Sequence, residues 1–307
     1  MYDGTVSPYG FAIREQARTG RTWAIGLPRP PGSDVALDDV TYRVHATGES
    51  SPTALLFLHG SGPGATGTSN WKAVIEELGE RYYCLAPDMI GFGDSEHPEN
   101  PPSGMKAFNL LQADTLWQLL DTLGVDRVHL VGNSMGGMIS IRMALSQPER
   151  VETMLLMGSG GAPDLPITPG LQHLRTFYAD PTPESLRALL ESFVHDMGTL
   201  TGVVDRVVAE RMPYVERADV KRSHAAMFDP KAGPPAFTDE ELTSLPHRTL
   251  CVHGRDDIIV PVESSTYLAR TMPNATLHII PKCGHWTQIE AHDTFVFLLE
   301  SLLAGRL

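Results

Sequence analysis

The strongest chemical signal in the chain is Gly132-Asn133-Ser134-Met135-Gly136, which fits G-x-S-x-G. A strand-like run, Arg127 to Val131, precedes it, and a helical pattern, Met135 to Ser146, follows it. That context is the one a nucleophile elbow requires, a sharp strand-to-helix turn that holds a serine hydroxyl above a sheet. Glycines two before and two after the serine permit close backbone packing, and the helix N-terminus adds partial positive charge near a forming oxyanion. Alone, the pentapeptide also suits a glycine-rich turn with a capping serine. A serine nucleophile needs a base and a group that orients the base. Two strand-like runs near the C-terminus are followed by such groups. Gly254-Arg255-Asp256-Asp257 comes after Thr249 to Val252, and Cys283-Gly284-His285-Trp286 comes after a run ending at Ile280. His285 stands out from the 12 histidines by this position, while the residues themselves leave Asp256 and Asp257 both open as the acid.

A third loop follows the apolar run that ends at Leu58: His59-Gly60-Ser61-Gly62-Pro63-Gly64. Its geometry suits an oxyanion hole made by the backbone N–H of Ser61 and that of Met135. His59 lies too far back in the loop to serve as base and reads as structural. A phosphate-binding loop is the competing assignment, and it fails because no Lys-Ser/Thr follows and no G-x-G-x-x-G register fits.

Elements that could carry these loops alternate along the chain. Val40 to Ala46 alternates like a half-buried strand, and Thr53 to Leu58 is apolar throughout, like an interior parallel strand. Helical patterns cover Trp71 to Glu80 and Leu110 to Leu123, the second closed by Gly124. Strand patterns cover Tyr82 to Ala86, Val151 to Met157, Thr249 to Val252 and Thr276 to Ile280. The order serine, acid, histidine along such βαβ alternation implies an α/β-hydrolase fold, with a mostly parallel, doubly wound sheet. From residue 158 to 246 the rhythm breaks into helical patterns, Pro183 to Val194 and Val203 to Arg211, separated by Pro and Gly. We expect a helical cap spliced into a core of residues 39–157 and 247–307, behind an irregular N-terminal extension of residues 1–38 that holds Pro28 to Gly32.

Composition excludes other classes. A net charge of -13 argues against a broad nucleic-acid surface. The three cysteines, Cys84, Cys251 and Cys283, suggest neither a disulfide framework nor a zinc site, so no metal or organic cofactor is expected. No signal-peptide pattern and no run of 18 apolar residues is present, so the expected location is the cytoplasm, away from membranes.

The chain resembles the meta-cleavage product hydrolases, which split a carbon–carbon bond in ring-fission products of aromatic catabolism. The resemblance spans roughly residues 40 to 303 and rests on His59 to Trp71 (HGSGPGATGTSNW), Pro87 to Ser95 (PDMIGFGDS), His129 to Gly137 (HLVGNSMGG), Gly254 to Pro261 (GRDDIIVP) and Lys282 to Trp286 (KCGHW). It implies a substrate that is a 2-hydroxy-6-oxo-dienoate, ketonised and then hydrolysed beside its second carbonyl. It implies that the acid is Asp257, four residues before Pro261. It also implies substrate contacts at Gly60, Gly62, Asn70, Asn133 and Trp286, and a cap arginine that pairs the substrate carboxylate. Arg211 matches that arginine best, with Arg206 close by. Self-association into a homo-oligomer is implied too.

The cap departs from the family between its ends, so its aromatic and long apolar residues (Phe177, Tyr178, Phe193, Met197, Phe228) are candidates for an apolar pocket that plain packing would also explain. Carboxylester or lactone hydrolysis by the same triad is the alternative activity, and it has no use for Arg211 or Asn70. Dehalogenation wants a carboxylate at the elbow, where this chain has serine. A ligand receptor on a hydrolase scaffold would retain product and turn over slowly.

Overall fold

The computed structural model describes residues 33–37 and 40–307. Its strands are β1 (Ser33–Ala36), β2 (Thr41–Thr47), β3 (Thr53–Leu58), β4 (Cys84–Pro87), β5 (Arg127–Asn133), β6 (Val151–Met157), β7 (Arg248–Gly254) and β8 (Ala275–Ile280). They form one sheet in the order β1-β2-β4-β3-β5-β6-β7-β8. β2 pairs antiparallel with β1 and β4, and the remaining pairings are parallel. The chain leaves β3 towards β4 on one side and returns to β5 on the other. That reversal opens a crevice at the C-terminal ends of β3 and β5, where open α/β sheets place their ligands.

Right-handed crossovers in opposite directions put the connecting helices on opposite faces. One face carries α1 (Gly67–Leu78), and the other carries α2 (Met105–Leu123) and α3 (Met135–Ser146). β3 shows why both faces must be covered, because Ala54 to Leu58 are all buried. Leu56 and Leu58 face α2 and α3, while Leu55 and Phe57 face α1. Between β6 and β7 lie α4 (Pro169–Thr176), α5 (Pro183–Glu191), α6 (Thr201–Val215), α7 (Ala218–Met227) and α8 (Asp239–Thr243). This helical insertion has its own apolar cluster, in which Leu186, Leu189, Val204 and Val207 pack together with Ile259, Val260 and Trp286. After β7 come α9 (Val262–Thr271), α10 (Thr287–Glu290) and α11 (His292–Leu303). Among the described residues no helix is long and apolar enough to cross a membrane.

Among the boundaries that differ from the sequence pattern, three stand out. α1 starts at Gly67 rather than Trp71, because Thr66 and Ser69 form a capping box that the apolar periodicity does not register. This moves Asn70 from a loop onto the first turn of a helix. α2 starts at Met105 rather than Leu110, behind Gly104 at φ 88°, with no side-chain cap to announce it. The stretch expected to be an irregular extension ends in β1, which pairs with β2, while residues 1–32, with the Pro28 to Gly32 cluster, lie outside the described residues. The αL stop at Gly124 falls where the sequence puts it.

Leu56, fully buried in the middle of β3, tests this core. Leu56→Ala should lower the unfolding free energy by about 2–5 kcal/mol, read as a shift in the urea midpoint at unchanged slope.

Candidate active site

Ser134 sits between β5 and α3 at φ 55° and ψ −113°, a conformation that costs a side-chain-bearing residue on the order of 1–3 kcal/mol. The surroundings hold it there. Its N–H donates to the Met157 carbonyl of β6 at 2.8 Å. A Cβ at Gly136 would lie 2.1 Å from the Leu58 carbonyl oxygen, so only glycine lets α3 come this close to the end of β3. The first N–H groups of α3, that of Met135 included, have no acceptor within the helix. The Ser61 N–H comes from the loop after β3, and neither amide is claimed by another acceptor among the described residues.

His59 is part of that loop's scaffold. Its Nε2 accepts from the Met89 N–H at 2.9 Å, which places the ring proton on Nδ1 to donate to the Gly60 carbonyl at 2.8 Å. Burial pulls this imidazole down to about 4, so it stays neutral and holds the loop.

His285 lies in the loop after β8, and its Nδ1 is 2.7 Å from Asp257 Oδ2. Asp257 Oδ1 accepts from the amides of Ile259 and Val260 at 2.8 and 3.0 Å. Burial alone would raise this carboxyl, but the facing His285 and His253 rings and their hydrogen bonds hold it well below the usual carboxylate range. Asp256 points elsewhere, with Oδ2 at 3.7 Å from His195 Nδ1.

Two groups here carried no signal in the sequence. His253, fully buried at the end of β7, sets Nε2 at 3.3 Å from Asp257 Oδ2 and 3.0 Å from the Val260 carbonyl. Both neighbours of Nε2 are acceptors, so it carries the proton and Nδ1 accepts from Ser265 Oγ at 2.7 Å. Glu290 accepts through Oε1 from the amides of His195 and Asp196, and through Oε2 from that of Gly284. The Phe193 carbonyl accepts from the amides of His285 and Trp286 at 2.7 and 3.1 Å. The helical insertion is thereby tied to the histidine loop by backbone bonds, which no side-chain pattern could announce.

Ser134 and His285 line a cavity of about 240 Å³ together with Gly60, Ser61, Gly62, Asn70, Asn133, Arg211 and Trp286. Ala65, Leu174 and Phe193 complete it. Of the five aromatic and apolar candidates, only Phe193 reaches this cavity; Phe177, Tyr178, Met197 and Phe228 pack in the cluster of the insertion. Arg206 is largely exposed and faces Glu210 at 3.9 Å, away from the cavity.

Arg211 is 1% exposed, and its Nε and Nη1 have no hydrogen-bond partner among the described residues. Burial pulls the guanidinium down to about 10, which leaves it charged at neutral pH. Its Cζ stands 5.4 Å from the Trp286 ring centroid. A Cβ at Gly64, whose φ is 64°, would lie 2.6 Å from the Arg211 carbonyl oxygen, so glycine there lets this loop pack against α6. The Asn70 Nδ2 is also buried and unpaired.

Comparisons with known proteins agree with this geometry. A family model described as the alpha/beta hydrolase fold matches residues 53–292. The 2-hydroxymuconate semialdehyde hydrolase of Pseudomonas sp. (strain CF600) is 36% identical over 277 residues, covering 89% of this chain and 94% of that protein. The chain is a meta-cleavage product hydrolase of the α/β-hydrolase family. Among solved structures, a serine hydrolase from the polyaromatic-hydrocarbon-degrading bacterium Cycloclasticus zankles superposes with a TM-score of 0.83 at 35% identity, covering 89% of this chain and 97% of that one. The 2-hydroxy-6-oxo-6-phenylhexa-2,4-dienoate hydrolase of Rhodococcus sp. strain RHA1 superposes at 0.80 with 36% identity, covering 85% and 93%.

Two outcomes follow for this hydrolase. The Asp257 carboxyl titrates lower folded than its unfolded value of about 3.9, so its stabilisation is complete above that pH and is lost as pH falls towards the folded value. Asp257→Asn should flatten the dependence of urea stability on pH below about 4, and parallel wild-type and variant curves would contradict the depressed carboxyl. His253→Phe removes one donor to a charged acceptor, so kcat/KM should fall about tenfold or more while the circular-dichroism spectrum is retained.

Proposed function

We propose that this enzyme hydrolyses the carbon–carbon bond beside the 6-carbonyl of 2-hydroxy-6-oxo-dienoates, with Ser134 as nucleophile, His285 as base and Asp257 behind it. Two of the relatives named above, the 2-hydroxymuconate semialdehyde hydrolase and the 6-phenyl dienoate hydrolase, act on compounds of this class. The observation that carries the reading is the buried, unpaired guanidinium of Arg211 in the same cavity as Ser134 and His285. A charge this buried is costly until an anion meets it, and a carboxylate matches its planar fork. Ester hydrolysis by the same triad would leave Arg211 and Asn70 without a purpose.

The steps follow from the substrate's electronics. Arg211 and Asn70 hold the carboxylate end, with Asn133 and Trp286 alongside, while the dienol passes a proton from its 2-hydroxyl to C5 and becomes a ketone. Ser134 Oγ attacks C6 as His285 takes its proton, and the amides of Ser61 and Met135 stabilise the oxyanion. The bond between C5 and C6 breaks. Its electron pair moves into the conjugated 2-ketone, and the proton on His285 completes the departing acid fragment. Water, deprotonated by His285, then releases the acyl group from Ser134 as a carboxylic acid.

Leu174 and Phe193 wall the apolar side of the narrow catalytic cavity, which suits a small acyl substituent. A cytoplasmic setting, in which the buried thiols of Cys84, Cys251 and Cys283 stay reduced, belongs to the same proposal. So does self-association, for which Ile279 on the edge strand β8 and the exposed Phe297 of α11 offer apolar surface.

Stopped-flow absorbance with 6-methyl and 6-phenyl dienoates, beside a neutral aryl ester, tests the reading. The methyl compound should lose its chromophore fastest and the ester should be much slower; an untouched dienoate beside a cleaved ester would overturn it. Ser134→Ala should cut dienoate turnover at least about 10³-fold. Arg211→Gln should raise KM for the dienoate about 100-fold yet leave ester cleavage within a few-fold, the signature of a lost carboxylate contact.

A further inference from the structure

A second cleft, about 790 Å³ including space open to solvent and rimmed by exposed residues, lies between α1, α6 and α10. Asn70 lines both this cleft and the catalytic cavity, so one side chain forms part of the wall between them. α6 completes the partition. Arg211 faces the catalytic cavity, while Val203, Val207 and Glu210 of the same helix face the cleft.

Buried polar groups without partners mark the way through. Arg211 Nε and Nη1 come first, then Asn70 Nδ2, then Gln288 Oε1, which lines the cleft although its residue is 2% exposed. Gln288 spends its Nε2 on the Asn70 backbone carbonyl at 3.2 Å, which ties this side chain to the same turn of α1. Each unpaired group costs about 1–3 kcal/mol unless something polar meets it. The cleft beyond carries two cations, Lys72, which makes no ion pair among the described residues, and Arg206, whose acidic neighbour Glu210 stays at 3.9 Å.

The proposed chemistry needs such a route, because its two products leave at different times. The acid fragment is free as soon as the carbon–carbon bond breaks, while the acyl group still occupies Ser134. At that moment the fragment lies at the Arg211 and Asn70 end, against the partition. We propose that the second cleft is the exit for this acid fragment, a small 2-hydroxy-dienoate carboxylate handed from Arg211 past Asn70 to Lys72 and Arg206. The inference rests on the dienoate-hydrolase reading, and its purpose is to clear the carboxylate end before water attacks the acyl-serine.

Ala73 on α1 lines the cleft and is exposed, so Ala73→Trp narrows it without disturbing the core. With enzyme in excess, the first loss of dienoate absorbance should stay within about twofold of wild type. With substrate in excess, kcat should fall about fivefold or more, and a burst of one equivalent per site should appear before the slow phase. Val203→Phe narrows the opposite wall and should repeat the result, and Ala73→Ser should behave as wild type. A normal first turnover with unchanged kcat in both bulky variants would overturn the exit alone. So would an equal fall in first turnover and kcat, which would place the damage in the chemistry. A wild-type enzyme that leaves the dienoate untouched would overturn the functional reading and the exit with it.

Discussion

A guanidinium with almost no exposed surface and no ion-pair partner among the described residues is a standing cost of several kcal/mol, and much of the active-site region is arranged around the one at Arg211. The loop after β3 needs glycine at position 64 to pack this closely against the Arg211 backbone. α6 must lie against that loop, so the helical insertion has to sit down over the C-terminal ends of the strands. Trp286, next in the chain to His285, offers its ring face to the same charge. Charge, glycine loop and tryptophan thus bind three distant parts of the chain into one cavity, and the cavity is left needing an anion.

The other half of the site is organised around a negative charge. Asp257 faces two imidazoles, of which only His285 lines the cavity. His253 is locked between Ser265, the Val260 carbonyl and the carboxylate, so it cannot turn to accept a proton from elsewhere. The carboxylate is therefore fixed on one side by His253, and on the other it meets the His285 ring already ionised and oriented. Positive charge stands at Arg211 and negative charge at Asp257, behind His285. The polarity of the cavity thus runs in one direction.

What could be read along the chain was whatever repeats at short range. The parallel strands β3, β5, β6 and β7 are continuous apolar runs because both of their faces are covered, and such runs need no tertiary knowledge to find. The starts of α1 and α2 were misjudged because a Thr66 and Ser69 box and a bare Gly104 leave no apolar period. β1 was missed because four residues, half exposed, carry too little pattern to stand apart from the Gly- and Pro-rich stretch before them. Among the five apolar candidates of the insertion, one reaches the cavity and four pack, since helical spacing says that a face is buried without saying against what.

By itself the sequence determined the elbow serine, the order of its partners and the loops that carry them, because each is a local turn whose residues are neighbours in the chain. The family resemblance drew Arg211 and Asn70 towards the site, but only the tertiary structure decided that Arg211 is buried while Arg206, five residues earlier on the same helix, faces out. It also decided that His253 stands beside Asp257, that Phe193 and Glu290 tie the insertion to the histidine loop, and that Asn70 borders two cavities. These are contacts between segments from tens to more than two hundred residues apart or between facing side chains at a turn. Their cause is how the insertion settles on the sheet, a global minimum of burial and charge that no short window of residues contains.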